Sequence, residues 1–125
     1  VRGLVRALKK GKVVWYAPDQ DYGAKQSVFV PFFGVSAATV NATGTFARLG
    51  NALVIPFVPT RLADGSGYKI AIHPPLENFP TGDDLVDART VNATVEEYVQ
   101  VHPEQYLWAH KRFKTRPPGE ASLYR

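Results

Sequence analysis

Proline interrupts each apolar stretch of this sequence before it can grow long, and that limits the size of the elements the chain can build. Lys12-Val13-Val14-Trp15-Tyr16-Ala17 stops at Pro18, Ser27-Val28-Phe29-Val30 stops at Pro31, and the run that starts at Ala52 meets Pro56 and Pro59. Proline lacks the amide proton that a helix interior or a central strand uses, so each run reads as one short strand. The first shows no strict alternation, which predicts a strand covered on both faces. None approaches the roughly 18–20 continuous apolar residues that cross a bilayer. The charged start is not followed by the apolar core of a signal peptide.

Helical patterns fill the space between these runs. Residues 2–11 read as the end of a helix: Leu4 and Leu8 share a face, Lys9 and Lys10 suit its negative terminus, and Gly11 suits a left-handed exit. Ser36 is placed to cap a helix running to about Leu49, with Val35, Ala38, Ala42, Phe46 and Leu49 on one face and Gly50 at the exit. A strand over 27–31, this helix and a strand over 52–58 imply a right-handed crossover between parallel strands. The turn Asp64-Gly65-Ser66-Gly67 then supplies an antiparallel partner, Tyr68-Lys69-Ile70-Ala71-Ile72. Asp83 or Asp84 can cap a further helix with Leu85, Ala88, Val95, Tyr98 and Val99 as its apolar stripe, and Pro103 ends it and opens a shorter one through His110. The predicted class is α/β, a mixed and mostly parallel sheet flanked by helices. It forms a single domain over residues 1–125, with an extended or mobile polar tail over 114–125.

Composition narrows the function. With 45% apolar residues and a net charge of only +4, the chain is a folding one and not a disordered one. The absence of cysteine excludes a disulfide framework, a thiolate zinc site and a cysteine nucleophile. Asp19 and Asp21 follow the first strand directly, where α/β sheets tend to bind ligands, so they are candidates to hold a sugar hydroxyl, a cation or a basic catalytic group. The alternative is an Asx turn, in which the aspartates bond to nearby backbone. His73, His102 and His110 have no second ligand at helical spacing and no aspartate or glutamate five positions on, so no metal site is expected. Lys111, Arg112, Lys114 and Arg116 form a dense basic run behind Tyr106 and Trp108. It can engage an anionic partner or simply be a solvated face. Arg61 is a separate candidate for an anion. The two Asn-Ala-Thr sequons, at Asn41 and Asn92, fall in predicted helices.

Several stretches together resemble the lipid A biosynthesis lauroyl acyltransferases, within the wider glycerolipid acyltransferase superfamily. They are Arg6-Ala7-Leu8-Lys9-Lys10-Gly11-Lys12, Trp15-Tyr16-Ala17-Pro18-Asp19-Gln20-Asp21-Tyr22-Gly23, Ser27-Val28-Phe29-Val30-Pro31-Phe32-Phe33 and Val54-Ile55-Pro56-Phe57-Val58-Pro59. The most specific is Pro103-Glu104-Gln105-Tyr106-Leu107-Trp108-Ala109-His110-Lys111-Arg112-Phe113-Lys114-Thr115-Arg116-Pro117. The resemblance implies transfer of an acyl chain from acyl carrier protein to a hydroxyl-bearing acyl group of the Kdo-linked lipid A precursor. The setting it implies is the cytoplasmic face of a Gram-negative inner membrane, with no cofactor and no nucleic acid. It further implies a His-x4-Asp or His-x4-Glu pair, in which the acidic residue orients a histidine that acts as general base. That pair and the family's N-terminal membrane helix are expected upstream of Val1. These residues then form the C-terminal part of a glycerolipid acyltransferase-like domain that is inactive alone. Asp19 matches an acidic site position of the family's Asp-x-Asp-Tyr-Gly segment; Asp21, Arg61, Lys111, Arg112 and Lys114 are the expected substrate contacts. Two rivals are a related acyltransferase with another lipid acceptor, and a non-catalytic basic module that binds nucleic acid through residues 111–116.

Overall fold

The computed structural model describes residues 2–125 as an α/β arrangement with its strands in two separate antiparallel hairpins. Helix α1 spans Arg2–Lys9 and exits through Gly11, whose φ of +70° is the left-handed conformation anticipated there. Strands β1, Ser27–Phe32, and β2, Val35–Val40, pair with Phe32 opposite Val35. Helix α2 covers Ala42–Gly50. Strands β3, Phe57–Arg61, and β4, Tyr68–Ile72, form the second hairpin, and α3 covers Asp84–Val101. Single 3-10 turns stand at Ala24–Gln26, Pro103–Gln105 and Trp108–His110.

The expected parallel sheet is not formed, and the cause is local. Phe33 and Gly34 both take positive φ, 49° and 76°, which reverses the chain in two residues with the twist that a hairpin prefers. Residues 35–40, expected as the first half of a helix, are thereby laid against β1. Ala37 and Ala38 are good helix formers, but tertiary packing overrides that preference: Ala37, Ala38 and Thr39 are all fully buried on a strand covered on both faces. With the helix shortened to α2, no crossover joins β1 to the third apolar run. Nor is there a ladder at residues 12–17, expected as a buried strand: Val13 is 97% exposed and Trp15 71%. The run at 52–56 likewise lacks a ladder, and is held by Leu76 N donating to Val54 O (2.9 Å) and His73 N to Pro56 O (3.0 Å). Pro31 and Pro59 lie inside β1 and β3 instead of closing strands. In two-stranded sheets every strand is an edge, so a missing amide proton is tolerated.

The core forms where α3 lies across β1. Phe32 and Val30 from β1 and Ala88, Val91 and Val99 from α3 are buried, each large side chain contributing about 1.5–3 kcal/mol. Asp83 is the N-cap of α3, its Oδ1 accepting from Leu85 N at 2.9 Å and Val86 N at 3.1 Å. Such a cap contributes about 1 kcal/mol. Leu85, assigned to the apolar stripe, is exposed, and Asn92 is fully buried in the same helix. Helix α2 packs on α1 and α3 through glycines. A Cβ at Gly44 would stand 2.6 Å from Asp87 Oδ2, and one at Gly50 would stand 2.8 Å from Leu8 Cβ.

Candidate functional site

Residues 11–19 and 51–60, with faces of α1, α2 and α3, enclose a trough of about 1320 Å³. Its lining is aliphatic and aromatic almost throughout, Val14, Trp15, Leu53, Ile55 and Val95 among it. Asp19 is the one carboxylate among its described lining residues, and it is half-buried. The apolar runs between prolines thus supply the walls, and the residue after Pro18 places a single negative charge on them.

The next turn of chain is locked by Asp21. This residue is buried, its Oδ1 accepting from Gly23 N at 2.9 Å and from Thr115 Oγ1 at 2.8 Å, and its Oδ2 accepting from Thr115 N at 2.8 Å. The first of these is the Asx turn considered from sequence; the other two fasten the loop to the far end of the chain. Gly23 has φ of +87°, a backbone setting that favours glycine. Asp21 therefore spends both oxygens within the protein, while Asp19 alone lines the trough.

The basic run divides. Arg112 is fully buried: Nη1 donates to Ala38 O at 2.7 Å, and Nη2 to Thr39 Oγ1 at 2.8 Å and Asn92 Oδ1 at 3.2 Å. Its guanidinium lies 5.1 Å from the Phe32 ring centroid. Burial pushes the guanidinium down from its ordinary range, opposed by Tyr106 and the charges of Asp19 and Asp21. Arg116 is half-buried, with Nη1 donating to Ser36 O and Nη2 paired with Glu120. Lys111 and Lys114 are exposed, the former with Nζ 5.7 Å from the Tyr124 ring. Arg61 is exposed at the end of β3, where Gln105 clamps its backbone: Arg61 N donates to Gln105 Oε1 at 2.8 Å and Gln105 Nε2 to Arg61 O at 3.1 Å. The structure thus gathers Asp19, Asp21 and Arg112 into one neighbourhood and leaves Arg61, Lys111 and Lys114 at the surface.

Each histidine has a local partner. His73 stacks on Tyr98 at 4.5 Å between centroids, His102 stands 3.4 Å from Glu104, and His110 Nδ1 meets Leu107 O. Two residues that sequence reasoning did not single out complete the site. Thr115 holds the Asp21 loop, and Tyr106 lines the trough beside Asp19. Both lie in the long motif from Pro103 to Pro117, which was the available signal.

The sequence model of the bacterial lipid A biosynthesis acyltransferases matches residues 1–115. A lipid A biosynthesis lauroyltransferase of Escherichia coli (strain K12) is 50% identical over 125 residues, 99% of this chain and 41% of that relative. A palmitoleoyltransferase of the same strain is 51% identical over 125 residues, covering 99% and 40% of the two chains. A myristoyltransferase, also from that strain, is 36% identical over 127 residues, covering 100% and 39%. The chain thus spans about two-fifths of the length of these curated relatives.

Proposed function

The chain belongs to the bacterial lipid A biosynthesis acyltransferase family, and on that premise we propose that the protein containing it moves a fatty acyl group, lauroyl, from acyl carrier protein to the Kdo-linked lipid A precursor. The observation that carries this reading is the Asp19 carboxylate, the one acidic group among the described lining residues of a mainly apolar trough. Apolar walls favour an acyl chain because they lose nothing by excluding water, at about 25 cal/mol per Å² of apolar surface covered. Asp19 serves the polar end, accepting a hydrogen bond from a sugar hydroxyl or orienting the catalytic centre. A histidine of the His-x4-Asp or His-x4-Glu type, supplied from outside residues 1–125, takes the proton of the acceptor hydroxyl as that oxygen attacks the acyl carbonyl; the thioester C–S bond then breaks, and the histidine hands the proton to the departing thiol of the carrier protein. These 125 residues by themselves transfer nothing.

Arg61, Lys111 and Lys114 are exposed cations suited to the anionic partners this reaction requires, the carrier protein and the phosphates of the acceptor. The site of action is the cytoplasmic face of the inner membrane. Among the described residues no helix is long and apolar enough to cross a membrane. The rival basic module needs residues 111–116 on one surface; Arg112 is sealed in the core and Arg116 is tied to Ser36 and Glu120.

Asp19→Ala in the full-length protein tests the reading. Transfer should fall by about a hundredfold or more, with the thermal midpoint held within about 2 °C. Near-normal turnover would remove Asp19 from the site. Lauroyl is tested by competing lauroyl-, palmitoleoyl- and myristoyl-loaded carrier proteins against one another.

A further inference from the structure

Tyr106 follows the 3-10 turn at Pro103–Gln105, and its ring is gripped from three directions. Phe32 lies 5.8 Å away between centroids, Trp108 stands edge-on at 4.7 Å and His110 at 5.5 Å. Held this way the ring has little freedom, and its hydroxyl is carried to one place. There Tyr106 Oη is buried and makes no hydrogen bond of regular geometry to the described residues. A buried hydroxyl is costly until it is paired, and the Asp19 carboxylate stands within hydrogen-bonding reach of this one. Asp19 lines the same trough. Burial, and then the charge of that carboxylate, push the Tyr106 phenol far above its ordinary range, so the hydroxyl keeps its proton throughout the physiological range and is available only as a donor to a carboxylate.

We propose that Tyr106 is a positioning residue, whose hydroxyl donates to the Asp19 carboxylate and fixes the direction in which that carboxylate meets the substrate in the trough. Hydrogen bonds of this kind are often long or poorly aligned without substrate and tighten in the reacting complex. The inference rests on the assignment of Asp19 to the site.

The experiment compares Tyr106→Phe, Asp19→Ala and the double variant in the full-length enzyme. Phenylalanine keeps the ring that Phe32 and Trp108 hold and removes only the hydroxyl. Tyr106→Phe should lower kcat about 10–100-fold, leave KM for the acyl donor within about twofold, and keep the thermal midpoint within about 2 °C. The double variant should be no worse than Asp19→Ala alone, because the hydroxyl then has nothing left to orient. Unchanged kcat in Tyr106→Phe beside a crippled Asp19→Ala overturns the inference and leaves the function standing. Losses that multiply in the double variant, or a fall in kcat that accompanies a drop of several degrees in midpoint, overturn it as well. An active Asp19→Ala enzyme is a different failure, one that takes the assignment of Asp19 itself.

Discussion

Arg112 is a charge that has left water without a carboxylate at its side. No acidic group among the described residues comes within 4 Å of it, and its compensation is three hydrogen bonds, the Phe32 face, and the more distant charges of Asp19 and Asp21. Such an arrangement depends on the planar fork of guanidinium, which reaches Ala38, Thr39 and Asn92 together. Lysine cannot make these bonds from one nitrogen in the same plane. Arg112→Lys should therefore cost about 2–4 kcal/mol of stability, read as a lowered midpoint in denaturant, and a change under about 0.5 kcal/mol would count against this account. The residue's role was hidden in the sequence by its company. Flanked by Lys111 and Lys114, it reads as one more exposed cation, and nothing local says that β2 will be waiting to receive it. Asp21 was easier to interpret, because its bond to Gly23 N is made within two residues.

At the level of elements, the close approach of α2 to α3 is set by Gly44. Alanine there would ordinarily help a helix by roughly 0.5–1 kcal/mol. Its Cβ would meet Asp87 Oδ2 at 2.6 Å, however, and Asp87 cannot easily yield. Asp87 Oδ1 accepts from Thr81 N at 2.8 Å and Thr81 Oγ1 at 2.7 Å, which ties α3 to the loop before it. The clash should prevail: Gly44→Ala is expected to destabilise by about 1–3 kcal/mol, and an increase in thermal midpoint would refute that. Elements with local signals were legible in the sequence. The Asp83 cap, the exit of α1 at Gly11 and the β3–β4 hairpin around Asp64-Gly65-Ser66-Gly67 needed only nearby residues. Strand β2 was not legible, since Phe33-Gly34 is a weak turn signature and Ala37-Ala38 favour a helix until packing decides. Asn92 read as a sequon in a helix, and its bonds to Pro31 O (2.9 Å) and Thr39 Oγ1 (3.0 Å) are tertiary.

Over the whole molecule, apolar surface is unevenly covered. The hairpin–α3 core is closed, whereas Val13, Trp15, Leu53 and Ile72 are largely exposed and the two sheets have two strands each. Two-stranded sheets have little stability of their own, and exposed apolar patches of this kind usually meet a partner or a ligand. Produced alone, these 125 residues should melt broadly and enhance the fluorescence of ANS, and a sharp transition without dye binding would contradict that expectation. The runs at 12–17 and 52–56, expected as strands of one sheet, pair with no strand and instead wall the trough. Among the described residues the neighbouring strands that would pair with them do not exist.

The tie from Asp21 to Thr115 joins positions 94 residues apart, and it sets an order of events during synthesis. A ribosome has already released the loop bearing Asp19 long before it reaches the threonine that fastens it. Until then the loop has only its own short-range bonds, and every helix and strand can form while the carboxylate that faces the trough still lacks its anchor. A premature stop just before Thr115 would leave a nascent product with all its regular structure and one unfastened loop.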